Sequence, residues 1–476
     1  MCGNVKCIHK TTNNNIYTEG QSGPKFVRRM PPSPHSPASA LLAGAATADL
    51  TPQDPVFLFG YPHVARLSTG VHDRLEAAAL YLRQDRQAVL FLANDLIFVS
   101  KQLCREVRRR ISIKTGVPMD AIAITTTHTH SGPVTVDCLS NGADPMVPKA
   151  DPQYLKWVAD SMVEAGCVAV RSARPAEVGL AVTQAVGVGT NRHDPAGPAD
   201  PAVPVLVVRA LADQRPIACM IAYAMHPTVL HEDSTLLSGD FPHFTRQYLR
   251  AQGVLPEHCP VLYHTGAAGN QSPRHVTQAN TFAEARRLGE KLGAAVAGAI
   301  SSIIFLPRCP LQARRVLVPL ELRTLPRVEQ AVVQAQAARE RFDALRAAQA
   351  PRTTVRTAEC DWFGAEESVV LARAAEDGQL QAAADLCSPA EIQVFEIGPW
   401  KFAFWPGEFF VEYALEVKAQ SPHTFVITLA NGELQGYIVT PEAAKRGGYE
   451  ATNALFSPDN GRRIVEATLA LLAAKE

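Results

Sequence analysis

The chain has 476 residues, 47% of them hydrophobic, enough to bury a large core. Lysine plus arginine and aspartate plus glutamate both number 46, and this balance excludes a general nucleic-acid or anionic-membrane partner, since both select for a basic face. No stretch approaches the roughly 18–20 consecutive apolar residues of a membrane span, and the polar start, with Asn13, Asn14 and Asn15 and no apolar core, lacks a secretory signal pattern, so the expected location is cytoplasmic.

Residues 1–40 read as a tail without catalytic content. Met1 to Gly23 is polar, and Met30 to Pro37 is rich in Pro and Ser, as an extended linker or disordered segment would be. From Leu41 the chain alternates short apolar runs with amphipathic stretches. Val89 to Val99 reads as a buried strand, and Ser100 to Lys114 as a helix with Leu103, Val107 and Ile111 on one face. Ala121 to Thr127 is a second strand and Tyr154 to Ala173 a helix. Val203 to Ala210, Pro216 to Ala224 and the short Pro260 to His264 are further strands, and Ala283 to Ile304 is helical. Two longer polar helices, near Val328 to Ala350 and Ser368 to Leu386, suggest a helical insertion over residues 327–386. Ile392 to Phe404 and Thr424 to Leu429 return to strands, and Gly461 to Lys475 closes as a helix. This alternation predicts an α/β fold, a layered αβα sandwich around a mixed β-sheet; the length allows residues 41–476 to form a single large domain, the organisation expected, or two.

None of the ten cysteines forms a C-x-x-C pair, so a cysteine-based zinc or redox site is not expected. Their scatter through apolar stretches suggests reduced, buried thiols in a reducing compartment. Arg108, Arg109 and Arg110 are consecutive on a predicted helix and are expected to fan over a solvated face.

Four stretches could carry chemistry, each where a predicted strand ends, the usual place for a ligand site in an α/β sheet. The first is Thr127-His-Thr-His-Ser-Gly-Pro133. On extended backbone His128 and His130 would point to one side, as two metal ligands or as one ligand and one acid/base group. His226, in Met225-His-Pro227, lies where Pro227 forces a break, and alone it would pass for a satisfied core histidine. The loop Gly266-Ala-Ala-Gly-Asn-Gln-Ser-Pro273 has small residues that let backbone N–H groups approach a ligand, with Ser272 offering a hydroxyl. Glu408, in Trp405-Pro-Gly-Glu408, is either a helix cap or a metal ligand. Together His, His and Glu make the ligand set of a catalytic zinc site with an open position, where bound water ionises near neutral pH.

These motifs, in their order, resemble the catalytic domain of the neutral/alkaline non-lysosomal ceramidases over most of residues 41–470. The likeness is carried by Ala46 to Pro52, Gly70-Val-His-Asp73, Thr127 to Pro133, Asn191-Arg192, Met225 to Pro227, Gly269 to Pro273, Pro406-Gly-Glu408, Gly436-Tyr-Ile-Val-Thr440 and Tyr449-Glu-Ala451. The resemblance implies a Zn2+ cofactor held by His128, His226, Glu408 and Tyr437. Read alone, Tyr437 would be a strand tyrosine with an exposed hydroxyl. It implies His130, Arg192 and Tyr449 near a reacting carbonyl, with His130 as acid toward the leaving amine and Arg192 and Tyr449 on the oxyanion. Ser272 falls on the family's active-site serine and could be nucleophile, donor or clamp. The implied activity is zinc-dependent hydrolysis of an N-acyl amide by metal-activated water, on a small-molecule substrate, lipid or soluble, in sphingolipid or other lipid metabolism. An alternative keeps the site but forms an amide, transfers an acyl group or opens an ester or lactone. Two departures stand out. The family's immunoglobulin-like domain has no counterpart before Glu476, and Asn270 stands where the family has an acidic residue.

Overall fold

In the computed structural model the described residues are 40–474, which fall in a compact unit of residues 39–476. The tail expected over residues 1–40 lies outside them except for Ala40, as do Cys2, Cys7 and Lys475, and Leu41 is the first residue of the core. Strands of alternating but doubly apolar composition form an eight-stranded sheet. Its spatial order is Val261–Thr265, Pro216–Tyr223, Ala202–Ala210, Arg174–Gln184, Leu42–Asp49, Glu76–Gln84, Gln87–Asn94 and Ile122–Thr126. The outermost pair at each end is parallel and the inner pairs are antiparallel. A four-stranded sheet follows, in the order Leu311–Val318, Ala390–Ile397, Trp400–Phe404 and Thr424–Ile427.

Period-2 side-chain alternation stacks the two sheets face to face. On Gln87–Asn94, Val89, Phe91 and Ala93 face the second sheet, while Leu90 and Leu92 face the helices Lys101–Thr115 and Pro152–Arg171. On Pro216–Tyr223, Ala218, Met220 and Ala222 share that inner layer, and Cys219, Ile221 and Tyr223 pack toward the helices Phe241–Ala251 and Phe282–Ile300. The second sheet answers with Phe395, Phe402, Phe404 and Phe425 inward, and its other face carries Val394, Ala403 and Val426 against the helices Val411–Gln420 and Asp459–Ala473. Phe91 sits at the centre, its ring 5.3 Å from Phe395 and 5.9 Å from both Phe402 and Phe404. The α/β sandwich expected from the sequence is present, with two sheets between its helical layers instead of one.

Two expectations are corrected. Arg108 is buried and donates to Glu391 at 2.6 Å and Gln393 at 3.3 Å; only Arg109 lies on an exposed face, while Arg110 is half-buried against Asp160. The second insertion helix begins at Arg352, well before Ser368, and runs to Glu376. Its first half mixes Thr, Val and Gly364 into a weak pattern, but Gly364 lets it press on the site: a Cβ there would lie 2.8 Å from the Tyr449 carbonyl oxygen. Of the described cysteines all eight are unpaired, six of them buried.

The two outer strands of the large sheet, Ile122–Thr126 and Val261–Thr265, also meet each other. Thr265 Oγ1 donates to the Thr127 carbonyl at 2.9 Å, and Thr125 Oγ1 lies 2.7 Å from His264 Nδ1. Residues 428–431 wedge between the same edges. Thr428 N–H donates to Thr265 O at 2.8 Å, and Asn431 N–H to Ile124 O at 2.7 Å. The Asn431 side chain accepts from Ile124 N at 2.9 Å and donates to Gln393 at 2.9 Å. Removing it by Asn431→Ala strands these partners in the interior, a loss of roughly 1–3 kcal/mol per orphaned group. Urea denaturation is expected to show destabilisation of at least that size, and a change within about 0.5 kcal/mol, the range of an ordinary surface substitution, would deny the wedge its role.

Candidate active site

The strand Ile122–Thr126 ends just before His128, whose φ of 67° puts it in the left-handed region. The extended-backbone argument for His128 and His130 therefore fails in detail, yet the two rings still converge, with Nε2 atoms 3.3 Å apart. His226 arrives from the end of Pro216–Tyr223 and Glu408 from the segment after Trp400–Phe404. Glu408 Oε2 lies 2.9 Å from His226 Nε2 and 3.3 Å from His128 Nε2.

Each ring is oriented from behind by backbone. His128 Nδ1 lies 3.0 Å from Ile97 O, His130 Nδ1 3.1 Å from Gly60 O, and His226 Nδ1 2.6 Å from Ala268 O and 3.0 Å from Gln271 O. Carbonyl oxygens only accept, so each Nδ1 carries a hydrogen and each Nε2 turns inward. Burial lowers His226 to about 4 and His130 well below the usual histidine range, so both are neutral and present lone pairs. Burial opposes the charge on Glu408, but the His128 and His226 rings outweigh it and hold the carboxyl ionised. Lone pairs and a carboxylate this close repel unless a cation stands among them. His128, His130 and His226 form a group that could hold a metal ion, their ligand atoms all within 4.8 Å of one another.

Short parallel pairing of Glu408–Phe409 with Tyr437–Ile438 sets Tyr437 beside Glu408. Tyr437 is buried, not exposed, and both burial and the Glu408 charge push its hydroxyl pKa up. Antiparallel pairing of Thr190–Asn191 with Gln271–Ser272 brings Arg192 and Ser272 to the same wall. Arg192 Nε donates to Glu450 at 2.5 Å, and its Nη2 has no hydrogen-bond partner although it is buried. The guanidinium lies 5.3 Å from the Tyr437 ring and 5.9 Å from that of Tyr449. Burial also raises Tyr449 well above the usual tyrosine range, leaving its hydroxyl a neutral donor. Ser272 Oγ accepts from Arg274 N at 3.3 Å, and among the described residues it has no histidine partner.

The loop Gly266 to Ser272 works differently from its sequence reading. It is buried, and its carbonyls orient His226. A Cβ on Gly269 would lie 2.7 Å from Phe409 O, so that glycine admits the Glu408 segment instead of a ligand. Asn270 is structural too: it donates to Glu412 at 2.8 Å and accepts from Val411 N at 2.9 Å. Two adjoining cavities share Gly60, Tyr61, Pro62, His130, Tyr437 and Tyr449 as walls.

Residues 41–244 match the family model described as neutral/alkaline non-lysosomal ceramidase, N-terminal. The match covers less than half of the 476 residues. His128, His130, Arg192 and His226 fall inside the matched span; Ser272, Glu408, Tyr437 and Tyr449 lie beyond it. The fold is that of a neutral ceramidase from Pseudomonas aeruginosa, at a TM-score of 0.70 and 18% identity, covering 91% of this chain and 74% of that one. A ceramidase structure complexed with C2 is similar, at a TM-score of 0.68 and 18% identity, over 91% of this chain and 75% of the other. No helix among the described residues is long and apolar enough to cross a membrane.

Sequence reasoning missed Glu367 and Tyr61. Glu367, from the insertion helix Arg352–Glu376, lines the cavity with Glu408 and Tyr449. Nothing in an amphipathic Glu-Glu-Ser stretch distinguishes it. Burial first, and then the charges of Glu366, Asp144 and Glu408, push it up to about 8. Asn453 Nδ2 donates to it. Between the ordinary value of 4.5 and about 8 the folded protein keeps this proton and the unfolded chain does not, so this group's share of stability declines as pH rises through that window. In metal-free protein, Glu367→Gln is expected to raise Tm relative to the parent more at pH 8 than at pH 5. An equal effect at both pH values would show that the carboxyl is not raised.

Proposed function

We propose that this enzyme hydrolyses an N-acyl amide at a zinc site formed by His128, His226, Glu408 and Tyr437. The observation that carries the reading is the inward convergence of buried Nε2 atoms, each with its Nδ1 tied to a backbone carbonyl, on an ionised Glu408. Such a donor set suits Zn2+, which when bound supplies Lewis acidity and a nucleophile at neutral pH.

The chain's own residues account for the rest. Water adds its hydroxyl to the acyl carbon, the C–N bond breaks, and the nitrogen leaves with a proton as the free amine. His130 enters neutral, with its Nδ1 hydrogen engaged by Gly60 O. Its Nε2 takes the proton of the attacking water and then gives it to the departing nitrogen. The unpartnered Nη2 of Arg192 and the neutral Tyr449 hydroxyl donate to the oxyanion as it forms. Glu450 holds Arg192 in place from behind, its own carboxyl at about 2 because burial is outweighed by Arg192 and His193. Ser272, capping the turn through Arg274 N, acts as a wall and donor toward substrate; a nucleophilic role would need a base beside it. The family name makes ceramide one substrate to test.

Metal analysis of the purified protein is expected to find about one zinc per chain, and His128→Ala or Glu408→Ala to lose both metal and turnover. Full activity in either variant would sink the assignment. Tyr449→Phe is expected to bind metal normally and to lower kcat by roughly 10²–10³-fold, the usual cost of one oxyanion donor.

A further inference from the structure

The cavity beside His226 and Ser272 combines ring carbon from Tyr61, Phe363, Tyr437 and Tyr449 with a concentration of positive charge. Its walls hold no leucine, isoleucine, valine or methionine, but they carry four arginines: Arg192, Arg274, Arg352 and Arg356. Two of these charges are balanced. Arg192 has Glu450, and Arg356 has Glu359 at 2.7 Å and Glu232 at 3.1 Å. The other two have only neutral partners among the described residues. Arg274 donates to Thr357 Oγ1 at 3.2 Å and Cys360 Sγ at 3.4 Å, and Arg352 to Gln278 O at 3.1 Å and the Asn280 side chain. The field is felt locally: after burial itself, Arg356, Arg352 and Arg274 help to lower His231 to about 3, so that ring adds no positive charge of its own. The adjoining cavity, on the His128 side, carries no arginine; its wall holds Glu367 and Glu408, with the aliphatic and aromatic side chains of Phe59, Ile97, Phe98 and Val147.

From this division we infer that the substrate carries a fixed negative charge, a carboxylate or a similar oxyanion group, on its amine portion, bound by Arg274 and Arg352, while its acyl chain enters the apolar side. The inference rests on the amide-hydrolase reading above and gives it a substrate class: N-acyl amino acids and related anionic amides, in preference to neutral N-acyl amides. Both line the cavity, Arg352 exposed to solvent and Arg274 half-buried, so an anion entering from solvent can reach both. Arginine suits this task because its planar fork matches an oxyanion pair and stays charged at every working pH. A hydrogen bond to a charged group contributes about 1.5–3 kcal/mol, which is roughly a tenfold preference or more.

The test compares N-dodecanoylglycine with the isosteric neutral N-dodecanoylglycinamide on the metal-loaded full chain, in the parent, Arg274→Gln and Arg352→Gln. The parent is expected to favour the anion by about tenfold or more in kcat/KM, through KM, and each variant to bring the ratio of the two substrates toward one. A parent ratio near one, or a preference unchanged in both variants, overturns the inference while leaving amide hydrolysis standing. If neither amide is cleaved, the amide-hydrolase reading fails for these acyl chains, and calorimetric binding of the same two compounds decides the inference. Tighter binding of the anion that both variants weaken upholds it, and equal binding of the two overturns it.

Discussion

The meeting of two sheet edges is the constraint on which the site depends. Ile122–Thr126 and Val261–Thr265 are the outermost strands of an eight-stranded sheet, yet they bond to one another through Thr265 and Thr125 and to the wedge of residues 428–431. An open edge leaves backbone donors and acceptors without partners, and here each edge satisfies them on the other or on the wedge. The wedge itself takes left-handed backbone at Leu429 and Asn431, with φ of 54° and 62°. Such strain persists where surrounding bonds over-determine it, and Ala430 N–H and Leu429 N–H also bind Trp405 O and Gly407 O, just ahead of Glu408. One closure thus brings His128, the His226-orienting loop and Glu408 to a common point.

The electrostatics of the centre follow from that burial. The neutral His130 and His226 rings, His128 and an ionised carboxylate are held together because the backbone carbonyls of Ile97, Gly60, Ala268 and Gln271 claim the outer ring nitrogens. The rings cannot turn their hydrogens inward without breaking those bonds. The site is therefore preorganised toward a cation, and Arg192, fixed by Glu450, brings the only nearby guanidinium whose buried nitrogen still lacks a partner among the described residues.

The helical insertion adds the walls. Arg352–Glu376 contributes Arg356, Cys360, Phe363 and Glu367 to the cavities, and Gly364 allows its close approach to Tyr449. The converging histidines and Glu408 come from the sandwich, whereas this helix supplies part of the cavity wall, so the wall can vary without disturbing the sheets.

The sequence by itself determined only part of the sandwich: the long apolar runs at Gln87–Asn94, Ile122–Thr126, Ala202–Ala210 and Pro216–Tyr223 were legible as strands, but Leu42–Asp49, Glu76–Gln84, Arg174–Gln184 and Leu311–Val318 were not, because Ala, Gly and charged residues interrupt their apolar pattern, and the hairpin of Ala390–Ile397 and Trp400–Phe404 read as a single strand. It also singled out the histidines and Glu408, which the fold brings together, because each sits at the end of such a run beside a residue that breaks it. It could not reveal that Arg108 points inward, since its partners Glu391 and Gln393 lie far along the chain, at separations of 283 and 285 residues. Nor could it show that Tyr437 is buried beside Glu408, that Asn270 and Gly269 serve packing, or that Glu367 enters the cavity. Those facts depend on two-residue strand pairs and helix docking, which leave no periodic trace. Tertiary structure alone decided which lone pairs face each other and which arginines lack a carboxylate, because charge balance is a property of distances in space and not of neighbours in sequence.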